Sequence, residues 1–131
     1  MADMQRPLSP HLQVYKWQVQ MVSSILHRAT GIALAVGSVL VVGGLLHLAA
    51  GEESFNHYKS IIGSPIGMIL LVGWSWALFY HLCNGIRHLA QDAGLGYGVS
   101  QFVRSSWLSL VVSIVLTVLV WAWVLLAGGA A

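Results

Sequence analysis

The sequence predicts an all-α membrane protein with three transmembrane helices, from its composition and from three long uncharged runs. Of its 131 residues, 57% are hydrophobic and only 8% are charged, whereas about 25% of the residues in a typical soluble domain are charged. The uncharged runs cover residues 29–51, 60–86 and 105–131. Each exceeds the roughly 20 residues that a helix needs to cross a hydrocarbon core of about 30 Å.

These runs divide the chain into alternating spans and connections. We predict a cytoplasmic N-terminal arm with an interfacial segment (1–22), transmembrane helix 1 (23–50), a periplasmic loop (51–63), transmembrane helix 2 (64–90), a cytoplasmic loop (91–104) and transmembrane helix 3 (105–128). The second helix is expected to begin near Pro65, because proline is well tolerated in a first helical turn. In the arm, Pro7 and Pro10 favour an extended path, and the apolar residues around them favour docking on a partner.

The basic residues predict the orientation of the chain. Arg6, Lys16 and Arg28 precede the first run, and Arg87 and Arg104 flank the second loop. By the positive-inside rule, the N-terminus and this loop are cytoplasmic and the C-terminus is periplasmic. The N-terminus does not resemble an organelle transit peptide, so we expect a bacterial inner membrane. A net charge of +2 is too small to indicate nucleic-acid binding.

His81 is the residue that points most directly to a function. It lies six residues before Arg87, inside the second uncharged run, where an ionisable side chain costs a few kcal/mol unless it is paired or coordinated. A hydrogen bond to a neighbouring helix, a place in a proton relay, or an axial bond to a haem iron would each stabilise it. Gly85 and His88 follow on the same helical face. For a haem bound to His81, Gly85 lies at the depth of the haem macrocycle and His88 at the depth of its propionates.

A second candidate site lies at the entrance to the first span. Ser24 and Arg28 are four residues apart and therefore share one face of a helix. They offer a hydroxyl and a permanent cation to a quinone carbonyl or a carboxylate, with His27 on the adjacent face. The alternative is that Arg28 extends to lipid phosphates and Ser24 bonds its own backbone.

The spacing of the helices predicts that one chain does not complete a haem site. Counted from the cytoplasmic boundary, the level of His81 falls near Ala35 on the first helix and Val111 on the third. Neither helix has a histidine, methionine or cysteine close to these positions. A second protein ligand to the iron would then come from another polypeptide.

Three motifs resemble the cytochrome b membrane-anchor subunit of succinate dehydrogenase, respiratory complex II. They are RPLSPHL at residues 6–12, SILHRATG at 24–31 and HLCNGIRHLAQD at 81–92. All three occur in the family's order around three spans, so the resemblance covers nearly the whole chain.

This resemblance implies one half of a heterodimeric helical anchor bundle. His81 matches the axial ligand of a haem b shared with a second small membrane-anchor subunit. Ser24 and Arg28 match positions of the ubiquinone site, and His27 and Arg28 match residues near the haem propionates, with His88 as a weaker candidate. The arm would dock on an iron-sulfur subunit beneath a flavoprotein subunit, with phospholipid around the spans. This chain would itself contain no succinate-oxidising site.

Three alternatives remain open from the sequence. The same assembly run in reverse is a quinol:fumarate reductase. A structural anchor without haem is the second alternative. A two-haem cytochrome b is the third, but only His47 is available for the second haem, about 28 Å from the level of Arg28.

Overall fold

The computed structural model describes residues 16–128, which form four α-helices and no strand. They are α1 (Val19–Ala49), α2 (Glu52–Ile62), α3 (Pro65–Asp92) and α4 (Val99–Gly128). The helices α1, α3 and α4 are long and apolar enough to cross a membrane, which confirms the predicted fold class. The motif at residues 6–12 and most of the predicted arm lie outside the described residues.

Helix α3 is the centre of the bundle, because it packs against both α1 and α4. Its buried residues are Ala77, Tyr80, Asn84, Arg87 and Gln91. Their spacing of three or four residues places them on one face of the helix. Large aliphatic side chains on the outer faces of α1 and α4 are exposed in the single chain, as expected for helices that meet lipid or other subunits.

A close contact between α1 and α3 sets their register in the middle of the bundle. Gly37 of α1 lies against the indole of Trp74, and an added Cβ at Gly37 would stand 1.8 Å from Trp74 Nε1. The Trp74 indole occupies the space that a side chain at Gly37 would need. The absence of a side chain at Gly37 therefore lets Trp74 pack directly on the backbone of α1.

The connection between the first two spans contains a short helix, which the sequence analysis expected only as a loop. This helix, α2, follows Gly51, whose φ of 117° lies in the left-handed region that favours glycine. Tyr58 fixes α2 against α1, because its hydroxyl donates to the Leu40 carbonyl at 2.7 Å and its ring lies against Gly44. His47 adds a hydrogen bond of 2.8 Å between its Nδ1 and the Ser54 hydroxyl.

The ends of α3 agree with the local sequence. Pro65 occupies the first turn as predicted, and the Ser64 side chain accepts a hydrogen bond from the Gly67 amide at 3.2 Å, which satisfies one of the free N–H groups of that turn. After Asp92 the chain turns at Gly94 and Gly96, whose φ angles are 84° and 77°. Helix α4 then begins at Val99, six residues before the predicted start of the third span.

The face of α4 that meets α3 is lined by small hydroxyl side chains. All four are buried, and each donates to a carbonyl of α4 itself at 2.7 to 3.0 Å: Ser106, Ser109, Ser113 and Thr117. Their small volume lets α4 pack closely on α3. Their hydrogen bonds within α4 remove the cost of burying the hydroxyls.

Candidate functional site: the histidine cluster between α1 and α3

The imidazole of His81 is anchored on the backbone of α1. Its Nδ1 lies 3.1 Å from the carbonyl oxygen of His27 and 3.3 Å from the hydroxyl oxygen of Thr30. Because a carbonyl can only accept, Nδ1 is the nitrogen that carries the hydrogen. In the neutral ring, Nε2 then keeps an unshared electron pair, and it makes no hydrogen bond to the described residues.

Two residues of α1 make this anchoring possible. The Thr30 hydroxyl lies 2.8 Å from the Leu26 carbonyl and 3.0 Å from the His27 carbonyl, so it donates its one hydrogen to α1 and can accept from His81. Gly31 lets the ring come close, since an added Cβ there would stand 3.0 Å from His81 Cε1. Sequence analysis had assigned no role to Thr30.

His27 and His88 complete a cluster of three imidazoles. The rings of His27 and His81 are stacked, with centroids 4.0 Å apart and planes 10° apart. The ring of His88 lies 5.0 Å from that of His27 at an angle of 54°. Beneath them, Gly85 is close enough to His27 that an added Cβ would be 3.9 Å from its Cε1. The buried Nδ1 of His27 has no hydrogen-bond partner among residues 16–128.

These contacts correct the predicted level of His81 on α1. The prediction placed His81 near Ala35 because it assumed that Arg28 and Arg87 mark one boundary. In the structure His81 lies beside Thr30 and Gly31, so Arg28 is about one turn deeper than Arg87. The statement that α1 has no histidine near this level was therefore wrong, because His27 is in contact with His81.

The stacked pair does not form a two-sided metal site. The electron pairs of imidazole nitrogens lie in the ring planes, and those of His27 and His81 are nearly parallel. Two such rings cannot direct their nitrogens at one ion from opposite sides. In agreement, the part of the chain that the structure describes contains no group of three histidine, cysteine or acidic side chains able to hold a metal ion.

A buried hydrogen-bond network lies directly behind the cluster. Asn84 is completely buried, and its Oδ1 accepts from the Ser23 hydroxyl at 2.9 Å and from Arg87 Nη1 at 3.1 Å. The Tyr80 hydroxyl lies 3.2 Å from both the hydroxyl and the carbonyl oxygen of Ser23. Asn84 Nδ2 is 3.2 Å from His88 Nε2, so the network also holds His88.

Sequence analysis did not identify this network, although a signal for it was present. Tyr80, Asn84 and Arg87 recur at intervals of four and three residues in an apolar helix. Polar side chains repeated on one face of a membrane helix indicate a polar contact with a neighbouring helix.

Ser24 and Arg28 form a separate pair on α1. Arg28 Nη2 lies 3.5 Å from Ser24 Oγ, in agreement with the predicted shared face. Ser24 is half-buried and Arg28 is exposed. No hydrogen bond joins this pair to the three histidines among the described residues.

Comparison with known proteins gives two kinds of match. The profile of the family described as "Succinate dehydrogenase/Fumarate reductase transmembrane subunit" matches residues 2–121. The chain is similar to the succinate dehydrogenase cytochrome b556 subunit of Paracoccus denitrificans, with 43% identity over 122 residues that cover 91% of this chain and 94% of the relative. The corresponding subunit of Rickettsia felis is 44% identical over 88% of this chain and 90% of its own length. The mitochondrial cytochrome b560 subunit of Sus scrofa is 40% identical over 87% and 66%, respectively.

Proposed function

The chain belongs to the succinate dehydrogenase/fumarate reductase transmembrane subunit family, and from this membership we propose that it carries one axial ligand of a haem b and part of a ubiquinone-reduction site. The relatives named above are cytochrome b subunits of succinate dehydrogenase. Under this proposal the chain is a membrane anchor that takes part in electron transfer from succinate to quinone.

The anchoring of His81 is the observation that carries the haem proposal. A histidine that binds a metal usually donates its other ring N–H to a carbonyl or carboxylate, which fixes the tautomer and the ring orientation. His81 donates from Nδ1 to the His27 carbonyl, and Nε2 keeps the electron pair that a haem iron requires. The residues present therefore fit the group. A haem b bound through Nε2 would supply one-electron transfer.

The second axial ligand is proposed to come from a partner anchor subunit. His27 is near enough to His81 to be considered, but the parallel stacking of the two rings excludes it as the ligand on the opposite side of the iron. This reason replaces the one that sequence spacing had suggested. The expectation of a bundle built from two small membrane subunits is unchanged.

His27, Arg28 and His88 are proposed to hold the haem propionates. The buried Nδ1 of His27 lacks a partner in the described part of the chain, so it is available to a carboxylate. His88 is the weaker candidate, because Asn84 already occupies its Nε2. Arg28 is exposed at the same end of α1, and its guanidinium could bind a propionate or a quinone oxygen.

Ser24 and Arg28 are proposed to bind ubiquinone. A hydroxyl and a guanidinium 3.5 Å apart can both donate to one carbonyl oxygen of the quinone. Such donors stabilise the negative charge that develops on this oxygen during reduction. A short path to water would let protons enter from the cytoplasm, where the positive-inside rule puts this end of the bundle.

The remaining parts of the proposal concern the assembly. The iron-sulfur and flavoprotein subunits would lie on the cytoplasmic side of a bacterial inner membrane, with the N-terminal arm docked on the iron-sulfur subunit. The C-terminus would face the periplasm. Succinate would be oxidised in the flavoprotein, and phospholipid would surround the exposed faces of α1 and α4.

Variants of the intact complex test the haem and quinone parts separately. We expect His81→Ala to abolish or shift the b-type Soret band of the purified complex. An unchanged spectrum would refute the haem assignment and favour an anchor without haem.

For the quinone site, we expect Ser24→Ala or Arg28→Leu to impair quinone reduction strongly while succinate oxidation by a soluble dye is kept. Ser38→Ala is the matched control, because Ser38 is an exposed serine of α1 that bonds only the Ala35 carbonyl of its own helix. Equal loss of both activities in the Ser24 and Arg28 variants would instead indicate failed assembly. The family also includes fumarate reductases, and a faster reaction with menaquinol and fumarate would favour that direction.

A further inference from the structure

A groove between α3 and α4 is separate from the histidine cluster and contains a cation, Arg87, that has no acidic partner among residues 16–128. It has a volume of about 360 Å³ and lies at the end of the two helices near the segment that connects them. Its walls are mostly apolar, and its polar residues are Arg87, Gln91, Ser105 and Ser109. This volume falls within the range of small-molecule sites in proteins.

Arg87 is a charged side chain that is buried without a negative partner in the part of the chain that the structure describes. It is 8% exposed, and its hydrogen bonds go to two neutral oxygens, Ser105 Oγ at 3.0 Å and Asn84 Oδ1 at 3.1 Å. Its guanidinium carbon also lies 4.3 Å from the centre of the Phe102 ring. Nη2 has no hydrogen-bond partner among the described residues. A buried cation is costly unless an opposite charge compensates it.

Gln91 adds a second free donor one turn further along α3. It is also 8% exposed, and its Nε2 lacks a hydrogen-bond partner in the described part of the chain. Arg87 and Gln91 both line the groove. Together they provide a guanidinium and an amide N–H at one end of an apolar channel, which suits an anionic group attached to a hydrocarbon chain.

We infer that this groove binds an anionic phospholipid, with the phosphodiester on Arg87 and Gln91 and an acyl chain along the apolar wall. Guanidinium groups match phosphate oxygens in geometry and charge, and basic pockets between membrane helices at the cytoplasmic side commonly bind acidic headgroups. The acyl chain contacts Cys83, Ile86, Leu108 and Val112, which line the deeper part of the groove. A neutral quinone has the hydrocarbon chain but does not compensate the charge. The inference does not depend on the haem or quinone proposals.

Cys83 provides a built-in probe for the test, because it is the only cysteine of this chain and it lines the groove. The purified complex, depleted of lipid in a neutral detergent, is treated with N-ethylmaleimide at increasing phosphatidylglycerol or phosphatidylcholine. The mass of this chain reports modification of Cys83. We expect saturable protection by phosphatidylglycerol, with at least about tenfold more phosphatidylcholine needed for the same effect, because the choline cation already compensates its phosphodiester and leaves no net negative charge for Arg87.

Three variants make the test specific. Arg87→Gln should raise the phosphatidylglycerol needed for protection about tenfold or more. Ala90→Phe, which fills the groove and leaves Arg87 unchanged, should keep Cys83 unreactive whether or not lipid is added. The matched control is Leu89→Phe, since Leu89 is 69% exposed and lies outside the groove, and it should behave as the natural chain does.

Several results would overturn the inference. Equal protection by the two phospholipids would remove the role of the charge, and so would unchanged protection in Arg87→Gln. Protection by ubiquinone at lower concentration than phosphatidylglycerol would assign the groove to quinone. A Cys83 that never reacts, with or without lipid, would show that another subunit covers the groove.

Discussion

The hydrogen bond between His81 and Thr30 allows a quantitative prediction for the variant Thr30→Val. Valine has nearly the shape of threonine but cannot accept from His81 Nδ1, so the His27 carbonyl becomes the only acceptor. A hydrogen bond to a metal-bound imidazole raises its basicity and favours the oxidised iron. Loss of one acceptor should therefore raise the midpoint potential of the proposed haem.

The distances set the size of the expected change. A typical hydrogen bond contributes about 0.5–1.5 kcal/mol net. The contact with Thr30 is 3.3 Å long, beyond the usual range of N–H···O bonds, so about 0.5–1 kcal/mol is appropriate. For a one-electron couple, 59 mV corresponds to about 1.4 kcal/mol. Only the part of the hydrogen-bond free energy that differs between oxidised and reduced iron shifts the potential, so the shift should be positive and no larger than about 40 mV. The His27 carbonyl, released from the Thr30 hydroxyl, accepts more strongly and keeps the change in this range.

Redox titration of the purified complex, followed at the b-type absorption band, measures this shift. Thr30→Ser keeps the hydroxyl and should restore most of the original potential. Thr117→Val is the matched control, since Thr117 is a buried threonine of α4 whose hydroxyl bonds the Ser113 carbonyl. A potential in Thr30→Val that is lower than or equal to that of the control would refute the proposed role of the Nδ1 hydrogen bond.

Two further predictions concern the packing of the helices. Gly37→Ala places a methyl group against the indole of Trp74, and the resulting shift should cost about 1–3 kcal/mol and lower the temperature at which the detergent-solubilised complex aggregates. Gly73→Ala is the control, because among the described residues its added Cβ meets nothing within 4 Å beyond the nearby backbone of α3, and it should not lower this temperature. An equal decrease in both variants would contradict the contact. Tyr58→Phe removes the 2.7 Å hydrogen bond to the Leu40 carbonyl, which contributes about 1 kcal/mol. Amide hydrogen exchange in α2 should therefore become about fivefold faster. Exchange at the rate of the natural chain would show that the hydroxyl does not hold α2 on α1.

The long helices could be predicted from the sequence because their determinants are local. Uninterrupted apolar runs give the spans, and Pro65 and Gly94 mark the start of α3 and the turn after its end. Helix α2 was not predicted because its sequence mixes acidic, basic and aromatic residues in a segment too short and too polar to cross a membrane. Its position depends on the contact of Tyr58 with α1, which is a tertiary interaction.

The register of α1 against α3 could not be predicted from the positions of the arginines. A long arginine side chain reaches the interface from several depths, so Arg28 and Arg87 need not lie at one level. The register depends instead on which small residue faces which large one, as at Gly37 and Trp74. His27 and His81 were proposed as candidate residues from the sequence, but their mutual stacking depends on this register and was not anticipated.

The buried hydroxyls of α4 have a consequence for the order of assembly. Because they bond carbonyls of their own helix, α4 needs no polar partner from α3 to be stable in a lipid environment. It meets the conditions for two-stage biogenesis, in which a span enters the bilayer alone and associates afterwards. The hydrogen bond from Arg87 to Ser105 would then form late, after α4 has docked on α3. It would stabilise one alignment of the two helices over the others that packing allows.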